Sequence, residues 1–175
     1  ALVLVVDASG TTFSSGECWE TESYSLYSGH GSELTLLESH RVAAHLAQLA
    51  TLGFIYEYIS RKAGFVTRVN SGLSFPEAGK LMGLAAFGGL QTNWESWIKP
   101  VSDSTQLQIS AYDIFLEVAA IEKRYDEGRG KPYLRSWLVD LAYKVQAELE
   151  AALYHIVIEG IRQTGHKRLC IAGGV

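Results

Sequence analysis

A lysine flanked by glycines is the clearest pattern in this chain for phosphate chemistry. Lys80 follows Gly79 directly, and Gly83 comes one helical turn later. Glycine lets a ligand approach the backbone closely, and an ammonium group stabilises phosphate charge. The GxxxxGK[ST] spacing of a P-loop is missing, so these residues by themselves also fit an ordinary helix start. Glu77 is a weaker candidate, because a carboxylate at that place can simply favour a helix N-terminus.

Two further candidates each follow an apolar run that is typical of a buried strand. Asp7 comes directly after the run 2–6. A carboxylate there can reach a metal ion or a phosphate-bound cation, or it can simply cap a turn. Gly173 and Gly174 follow the run 169–172. Glycines after a strand admit a nucleotide without a Cβ in the way, although such a pair is a weak signal by itself.

The histidines do not form a ligand pattern. His40 and His45 are five residues apart, which is wrong for the i, i+4 pairing of two ligands on one helix face. The other three stand singly along the chain: His30, His155 and His166. We therefore predict no histidine ligand within this sequence.

Composition and charge exclude several classes of protein. The 175-residue chain has a net charge of −4 and a pI near 5.7, so it carries no basic footprint for nucleic acid or an anionic membrane surface. No apolar run approaches the roughly 20 residues of a membrane span. Cys18 and Cys170 lie far apart without CxxC spacing, which predicts reduced, buried thiols in a cytoplasmic protein.

Apolar periodicity predicts an α/β chain. The runs 2–6, 19–27 and 34–37 indicate three strands of an antiparallel meander. A helical stripe over 42–59, which includes Leu46 and Leu49, ends before Gly64. A second, tightly packed helix begins near Met82.

The strongest predicted helix spans 134–163 and ends at Gly165. Its buried face is marked by seven apolar residues: Leu134, Leu138, Leu141, Val145, Leu149, Ala152 and Ile156. A short buried strand follows at 169–172. The resulting order, βββαβ, is that of a ribonuclease-H-like lobe, the repeated unit of actin/hexokinase-type ATPase domains.

Residues 89–130 are predicted to be an insertion into that lobe. They comprise an irregular segment at 89–110, a helix at 112–125 and the first part of an exposed loop at 126–132. Trp94 and Trp97 lie in the irregular segment. They either line an acceptor pocket or anchor the segment to the core, and we favour the anchoring role.

Three motifs resemble the O-carbamoyltransferases of nodulation and antibiotic biosynthesis. The segment 79–88 matches the family pattern GK-x-MGLA-x-[YF]G, with Ala86 where Pro is common. The terminal LCIAGGV resembles the family's LCLAGGVALN, without the residues that follow the valine. The opening ALVLVVD resembles the family's ALVLTVD-G strand, with Ala8 in place of the usual Gly. The transfer domain of this family is similar to the tRNA threonylcarbamoyltransferases.

The resemblance implies an activity and a role for each motif residue. In the family, carbamoyl phosphate and ATP give carbamoyl adenylate, and the carbamoyl group then passes to a hydroxyl of an acceptor. Asp7 would bind a divalent metal, usually iron, together with two histidines from a motif that should precede Ala1. Lys80 would stabilise phosphate charge as the catalytic residue. The nucleotide would contact four glycines: Gly79, Gly83, Gly173 and Gly174.

The resemblance also implies that residues 1–175 form one partial domain, the second lobe of the transfer domain. Because the nucleotide of this superfold lies between two lobes, we expect this chain alone to be inactive and to need the remaining lobe and domains of the same polypeptide. Two alternatives stay open. One is another ATPase or kinase of the superfold, whose Asp-Gly-Thr turn residues 7–11 imitate only loosely. The other is a non-catalytic nucleotide-binding module.

Overall fold

The computed structural model describes residues 1–16, 18–45, 50–70, 72–91, 94–125 and 131–174. The strands are β1 Leu2–Val6, β2 Thr12–Ser15, β3 Cys18–His30, β4 Glu33–Ala43, β5 Val66–Arg68, β6 Ser74–Pro76, β7 Ile98–Pro100, β8 Leu107–Ile109 and β9 Leu169–Gly173. The helices are α1 Leu52–Lys62, α2 Ala78–Ala85, α3 Ala111–Tyr125 and α4 Ser136–Thr164, with a 3₁₀ turn at Pro132–Leu134. The predicted α/β class is confirmed.

The main sheet is built around β1, which lies between β3 and β9. It pairs antiparallel with β3 and parallel with β9, and β3 also pairs with β2 and β4. Leu2, Leu4 and Val6 are buried on one face, towards α4, while Val3 and Val5 on the other face are only half-buried. The predicted meander is therefore present, but burial of β1 on both faces is not complete.

The helix predicted over 42–59 is wrong at its beginning, where residues 42 and 43 belong to a strand. Val42 belongs to β4, where it pairs with Thr21 of the long strand β3. Helix α1 begins only after Thr51, whose Oγ1 accepts a hydrogen bond from the Phe54 N–H at 3.2 Å. The helix stop is confirmed, since Gly64 has a φ of +77° directly after the C-cap. Leu46 and Leu49 lie outside the described residues.

Helix α4 packs across the sheet as predicted, but it begins later. Leu138, Leu141, Val145, Ala152 and Ile156 are all buried. The assignment of Leu134 to the buried face is wrong, because Leu134 ends the 3₁₀ turn and its side chain is 73% exposed. Pro132 opens that turn and Arg135 is extended, so the periodicity does not continue back to residue 134. Gly165 ends α4 in the left-handed conformation, as expected.

The region 89–130 contains a β-hairpin as well as the predicted helix. Strands β7 and β8 pair with each other, and α3 follows within one residue of its predicted start. Trp97 anchors the segment, since it is only 4% exposed and belongs to the hydrophobic core, and it also lines a cavity, so both predicted roles are compatible with the structure. Trp94 is partly buried and packs against the core. The part of the predicted loop at 126–130 lies outside the described residues.

Two expectations about burial are wrong. Cys18 and Cys170 are both exposed rather than buried. All five residues of β9 are exposed as well, although their composition predicted a buried strand. The two exposures have different settings: β9 is an edge strand of the described sheet, and Cys18 is the first residue of β3. None of the helices in the described part of the chain is long and apolar enough to cross a membrane.

Candidate nucleotide site

A cavity of about 460 Å³ lies between the end of β1 and three helices, α1, α2 and α4. The described residues that line it are Ala8, Gly53, Tyr56, Glu57, Pro76, Ala78, Gly79, Met82, Gln146, Leu149, Glu150, Leu153 and Gly174. This volume falls within the range of small-molecule sites. Two of the four glycines predicted to contact nucleotide therefore line one cavity, together with the residue next to Asp7.

Asp7 and Gly174 are neighbours because β1 and β9 run parallel and end at the same edge of the sheet. Val6 pairs with Gly173, and the N–H of Gly174 donates to the Val6 carbonyl oxygen at 3.1 Å. A Cβ on Gly174 would lie 3.3 Å from Oδ1 of Asp7. That oxygen also accepts a hydrogen bond from the Ala8 N–H at 2.7 Å, which holds the carboxylate beside the turn.

Gly53 brings α1 against the turn that follows β1, and sequence reasoning missed it. A Cβ at this position would lie 2.4 Å from Cα of Ala8, so only glycine allows the approach. Thr51 reinforces the contact, since its hydroxyl donates to the Ala8 carbonyl oxygen at 2.8 Å. A glycine inside the apolar helical stripe predicted over 42–59 was the one available signal.

Helix α2 presents its first turn to the cavity. Its N-cap residue, Glu77, makes no side-chain hydrogen bond to the N–H groups of that turn. Gly79 lines the cavity, and no protein atom of another residue would lie within 4 Å of a Cβ placed there. Protein packing therefore does not require this glycine, and the space beside it is open to a ligand. Gly83 also has open space around it but does not line the cavity.

Lys80 does not point into the cavity. Its ammonium pairs with Oε2 of Glu77 at 2.8 Å, and its side chain is 60% exposed. The hydrogen bond from Lys80, with a second from Thr67, holds the pKa of the Glu77 carboxyl below its usual range. To contact a phosphate, the ammonium would have to leave Glu77 and turn towards Gly79.

A hydrogen-bonded chain crosses the opposite wall, between α1 and α4. The Tyr56 hydroxyl donates to Oε1 of Gln146 at 2.8 Å, and Nε2 of Gln146 donates to Oε1 of Glu150 at 2.6 Å. Burial, together with the charge of Glu150, raises the pKa of Tyr56 to about 12, so the phenol stays a donor. The wall thus presents carboxylates beside apolar side chains, and phosphate charge would be repelled from it.

The last glycine of the segment 79–88 has a packing role. A Cβ on Gly88 would lie 2.3 Å from the Val139 carbonyl oxygen of α4. The next residue, Gly89, donates its N–H to Oδ1 of Asp140 at 2.9 Å. The missing side chain at Gly88 therefore allows the chain after α2 to lie directly on α4, which keeps α2 beside the cavity.

The histidines lie apart from one another. His40 stacks on Tyr24 with ring centroids 4.9 Å apart, and burial lowers its pKa. His155 hydrogen-bonds through Nε2 to the Ser104 carbonyl oxygen at 2.8 Å. Two of the remaining three histidines, His30 and His45, are exposed. His166 contacts the Ser28 hydroxyl through Nε2 at 2.7 Å.

In the described ranges, no group of three His, Cys, Asp or Glu side chains is placed to hold a metal ion. Asp7 alone does not make a transition-metal site, so its metal role stays an implication of the resemblance. A scan against models of known protein families finds no match for this chain.

Proposed function

We propose that this chain contributes to the ATP-dependent transfer of a carbamoyl group from carbamoyl phosphate to a hydroxyl of a small-molecule or glycan acceptor. The observation that carries the proposal is that Gly79, Gly174 and Ala8, the residue next to Asp7, line one cavity, with the Asp7 carboxylate beside Gly174. These residues come from three motifs far apart in the sequence, and each motif carries residue types suited to nucleotide or metal chemistry. Packing alone does not require Gly79 to be glycine.

Different parts of the cavity match the phosphates, the ribose and the base of a nucleotide. Phosphate groups would lie at the end with Gly174 and the uncapped first turn of α2, where backbone N–H groups favour anions. Ribose hydroxyls would donate to Glu57 and Glu150. The apolar side chains of Met82, Leu149 and Leu153 would cover the base.

The proposed reaction has three steps. Water first cleaves carbamoyl phosphate into carbamate and inorganic phosphate, which leaves. A carbamate oxygen then bonds to the α-phosphorus of ATP, and pyrophosphate leaves. The acceptor oxygen then bonds to the carbamoyl carbon, AMP leaves, and the hydroxyl proton passes to a base. Lys80 would stabilise charge on the transferring phosphate. A metal held partly by Asp7 would polarise the carbonyl.

We infer that the architecture is a ribonuclease-H-like lobe of an actin/hexokinase-type ATPase. The support is the observed topology: an antiparallel β1–β3–β4 arrangement, helices on one face, and a final strand parallel to β1. The short strand β2 and two hairpins, β5–β6 and β7–β8, are additions to the expected order.

The turn after β1 disfavours a kinase of the same superfold. Such a kinase needs free backbone N–H groups in its Asp-Gly-Thr turn to hold phosphate. Here the N–H of Ala8 donates to Asp7, and the N–H of Gly10 donates to the Glu22 carbonyl oxygen at 2.9 Å. Both groups are already satisfied within the protein.

The activity is tested by incubating the polypeptide that combines this chain with the remaining lobe and domains with ATP, carbamoyl phosphate, a hydroxyl acceptor and a divalent metal, and measuring AMP and pyrophosphate. We expect both products to depend on carbamoyl phosphate. Release of ADP instead would support a kinase, and nucleotide binding without any turnover would support a non-catalytic module.

We predict that Asp7→Asn abolishes carbamoyl transfer and lowers bound metal without unfolding the protein. Asparagine keeps an oxygen that can accept the Ala8 N–H, so the turn is preserved while the charge is lost. Metal analysis and circular dichroism of the purified variant measure the two effects. Wild-type metal occupancy in a folded variant would remove Asp7 from the metal site.

We predict that Lys80→Met weakens ATP binding or adenylate formation by about 1.5–3 kcal/mol, the range for a charged hydrogen bond. Methionine retains much of the apolar length of the side chain and loses only its charge. Calorimetric titration with ATP and a pyrophosphate assay provide the measurement. Lys123→Met, an exposed lysine in the last turn of α3, is the matched control and should change neither quantity. If Lys80→Met also leaves both quantities unchanged, Lys80 has no role in phosphate binding and is only part of the first turn of α2.

A further inference from the structure

A second and larger cavity, of about 790 Å³, lies between β4, the β7–β8 hairpin and α3. The described residues that line it are His40, Val42, Ala50, Glu95, Ser96, Trp97, Lys99, Leu107, Gln108, Ile109, Ser110, Asp113, Leu116 and Glu117. None of them lines the candidate nucleotide site. Most belong to the inserted region, whose role the proposed transfer reaction leaves unexplained.

A buried ion pair holds one wall of this cavity, residues 95–98, in a fixed position. Lys144 is only 1% exposed, and its ammonium donates to the Glu95 carbonyl oxygen and lies 3.3 Å from Oε1 of Glu148. Glu148 in turn accepts hydrogen bonds from the N–H groups of Trp97 and Ile98, at 3.0 and 3.1 Å. Burying a lysine is costly unless its partners are well placed, so this arrangement specifies one position for residues 95–98.

The lining combines negative charge with apolar surface. Three acidic residues line the cavity, Glu95, Asp113 and Glu117, and Lys99 is the one lysine or arginine among the described lining residues. The indole N–H of Trp97 donates to Oε2 of Glu117 and orients that carboxylate. The apolar part of the lining comes from both sides of the cavity: Val42, Leu107, Ile109 and Leu116.

The neighbouring imidazole adds no positive charge. Burial lowers the pKa of His40, so its ring is neutral at pH 7. A ligand that matches this lining carries positive charge for the carboxylates and a short apolar body for the walls between them. An anion would be repelled by the same three carboxylates.

We propose that this cavity binds a small organic cation, an amine or guanidinium compound with a short aliphatic chain. The site is separate from the nucleotide cavity and does not depend on the carbamoyl-transfer proposal. Its recognition rests on the fixed wall at 95–98 and on the carboxylate of Asp113, which α3 presents in its first turn.

Putrescine is the probe for the test, and the diol of the same chain length is its neutral counterpart. We expect calorimetric titration to show saturable binding of putrescine and none of the diol. Asp113→Asn should weaken putrescine binding by about fivefold, as expected for one partly exposed charge pair. Circular dichroism confirms that the variant is folded.

Glu33→Gln is the matched control, because it removes an exposed carboxylate from the distant start of β4. It should leave putrescine binding unchanged. The proposal is overturned if putrescine does not bind, if the diol binds as tightly, or if Glu33→Gln weakens binding as much as Asp113→Asn. Equal binding of the diol would show that apolar contact alone holds the ligand. Equal weakening by Glu33→Gln would show non-specific charge attraction in place of a defined site.

Discussion

Replacing Gly173 with alanine is expected to lower the free energy of unfolding by about 2–4 kcal/mol. Gly173 has a φ of +126°, a conformation that residues with a side chain rarely adopt. A Cβ there would also lie 1.7 Å from the Val6 carbonyl oxygen, so the two strands would have to separate. The hydrogen bond from Gly174 to Val6 would be lost with the movement. Urea denaturation of the variant measures the change.

Gly79→Ala is the matched control for this prediction. Gly79 lies in helix α2 with open space around it, and alanine is the better helix former. We expect this variant to be stabilised by up to about 1 kcal/mol. An unchanged urea midpoint for Gly173→Ala would contradict the close pairing of β1 and β9, and with it the placement of Asp7 beside Gly174.

Replacing Lys144 with methionine is expected to cost a similar amount, about 2–4 kcal/mol, because it breaks a buried ion pair and leaves Glu148 without its cation. The Glu95 carbonyl oxygen would lose its donor at the same time. The ammonium also lies 4.5 Å above the Trp97 ring, a contact that methionine replaces only in part. The loss of stability should appear as a lower urea midpoint. The changed surroundings of Trp97 should appear as a change in tryptophan fluorescence.

Lys80→Met is the control for charge removal at the surface. The Lys80–Glu77 pair is exposed, so its loss should change stability by less than about 1 kcal/mol. Equal stability of the Lys144→Met and wild-type proteins would mean that residues 95–98 are not fixed by this network. The rigid wall of the larger cavity would then lose its basis.

Local chemistry was enough to predict several elements. The β-branched run of β1 and the spacing of Leu138, Leu141 and Val145 on α4 both depend on side-chain periodicity, which is written directly in the sequence. Gly64 and Gly165 were read as helix ends because a left-handed residue there favours glycine whatever the surrounding fold. These predictions are confirmed.

Predictions failed where long-range pairing decided the outcome. Val42 fitted a helical stripe, but pairing with Thr21 extends β4 through it. β9 was predicted to be buried from its composition, although burial depends on whether a second strand lies beside it in space. Lys144 carries no sequence signal of burial, because lysine is usually exposed and only the segment 95–98 covers it.

The sequence by itself determined which residues of the candidate site have suitable chemistry: the carboxylate of Asp7 and the glycines at 79 and 174. Only the tertiary structure decided that the two glycines line one cavity with Asp7 beside Gly174, since parallel pairing of β1 with β9 and the packing of α2 on α4 join segments far apart in the chain. The pairing of Lys80 with Glu77, in contrast, is a local contact between residues three apart. Periodicity is a local property of a chain, whereas proximity is created by packing.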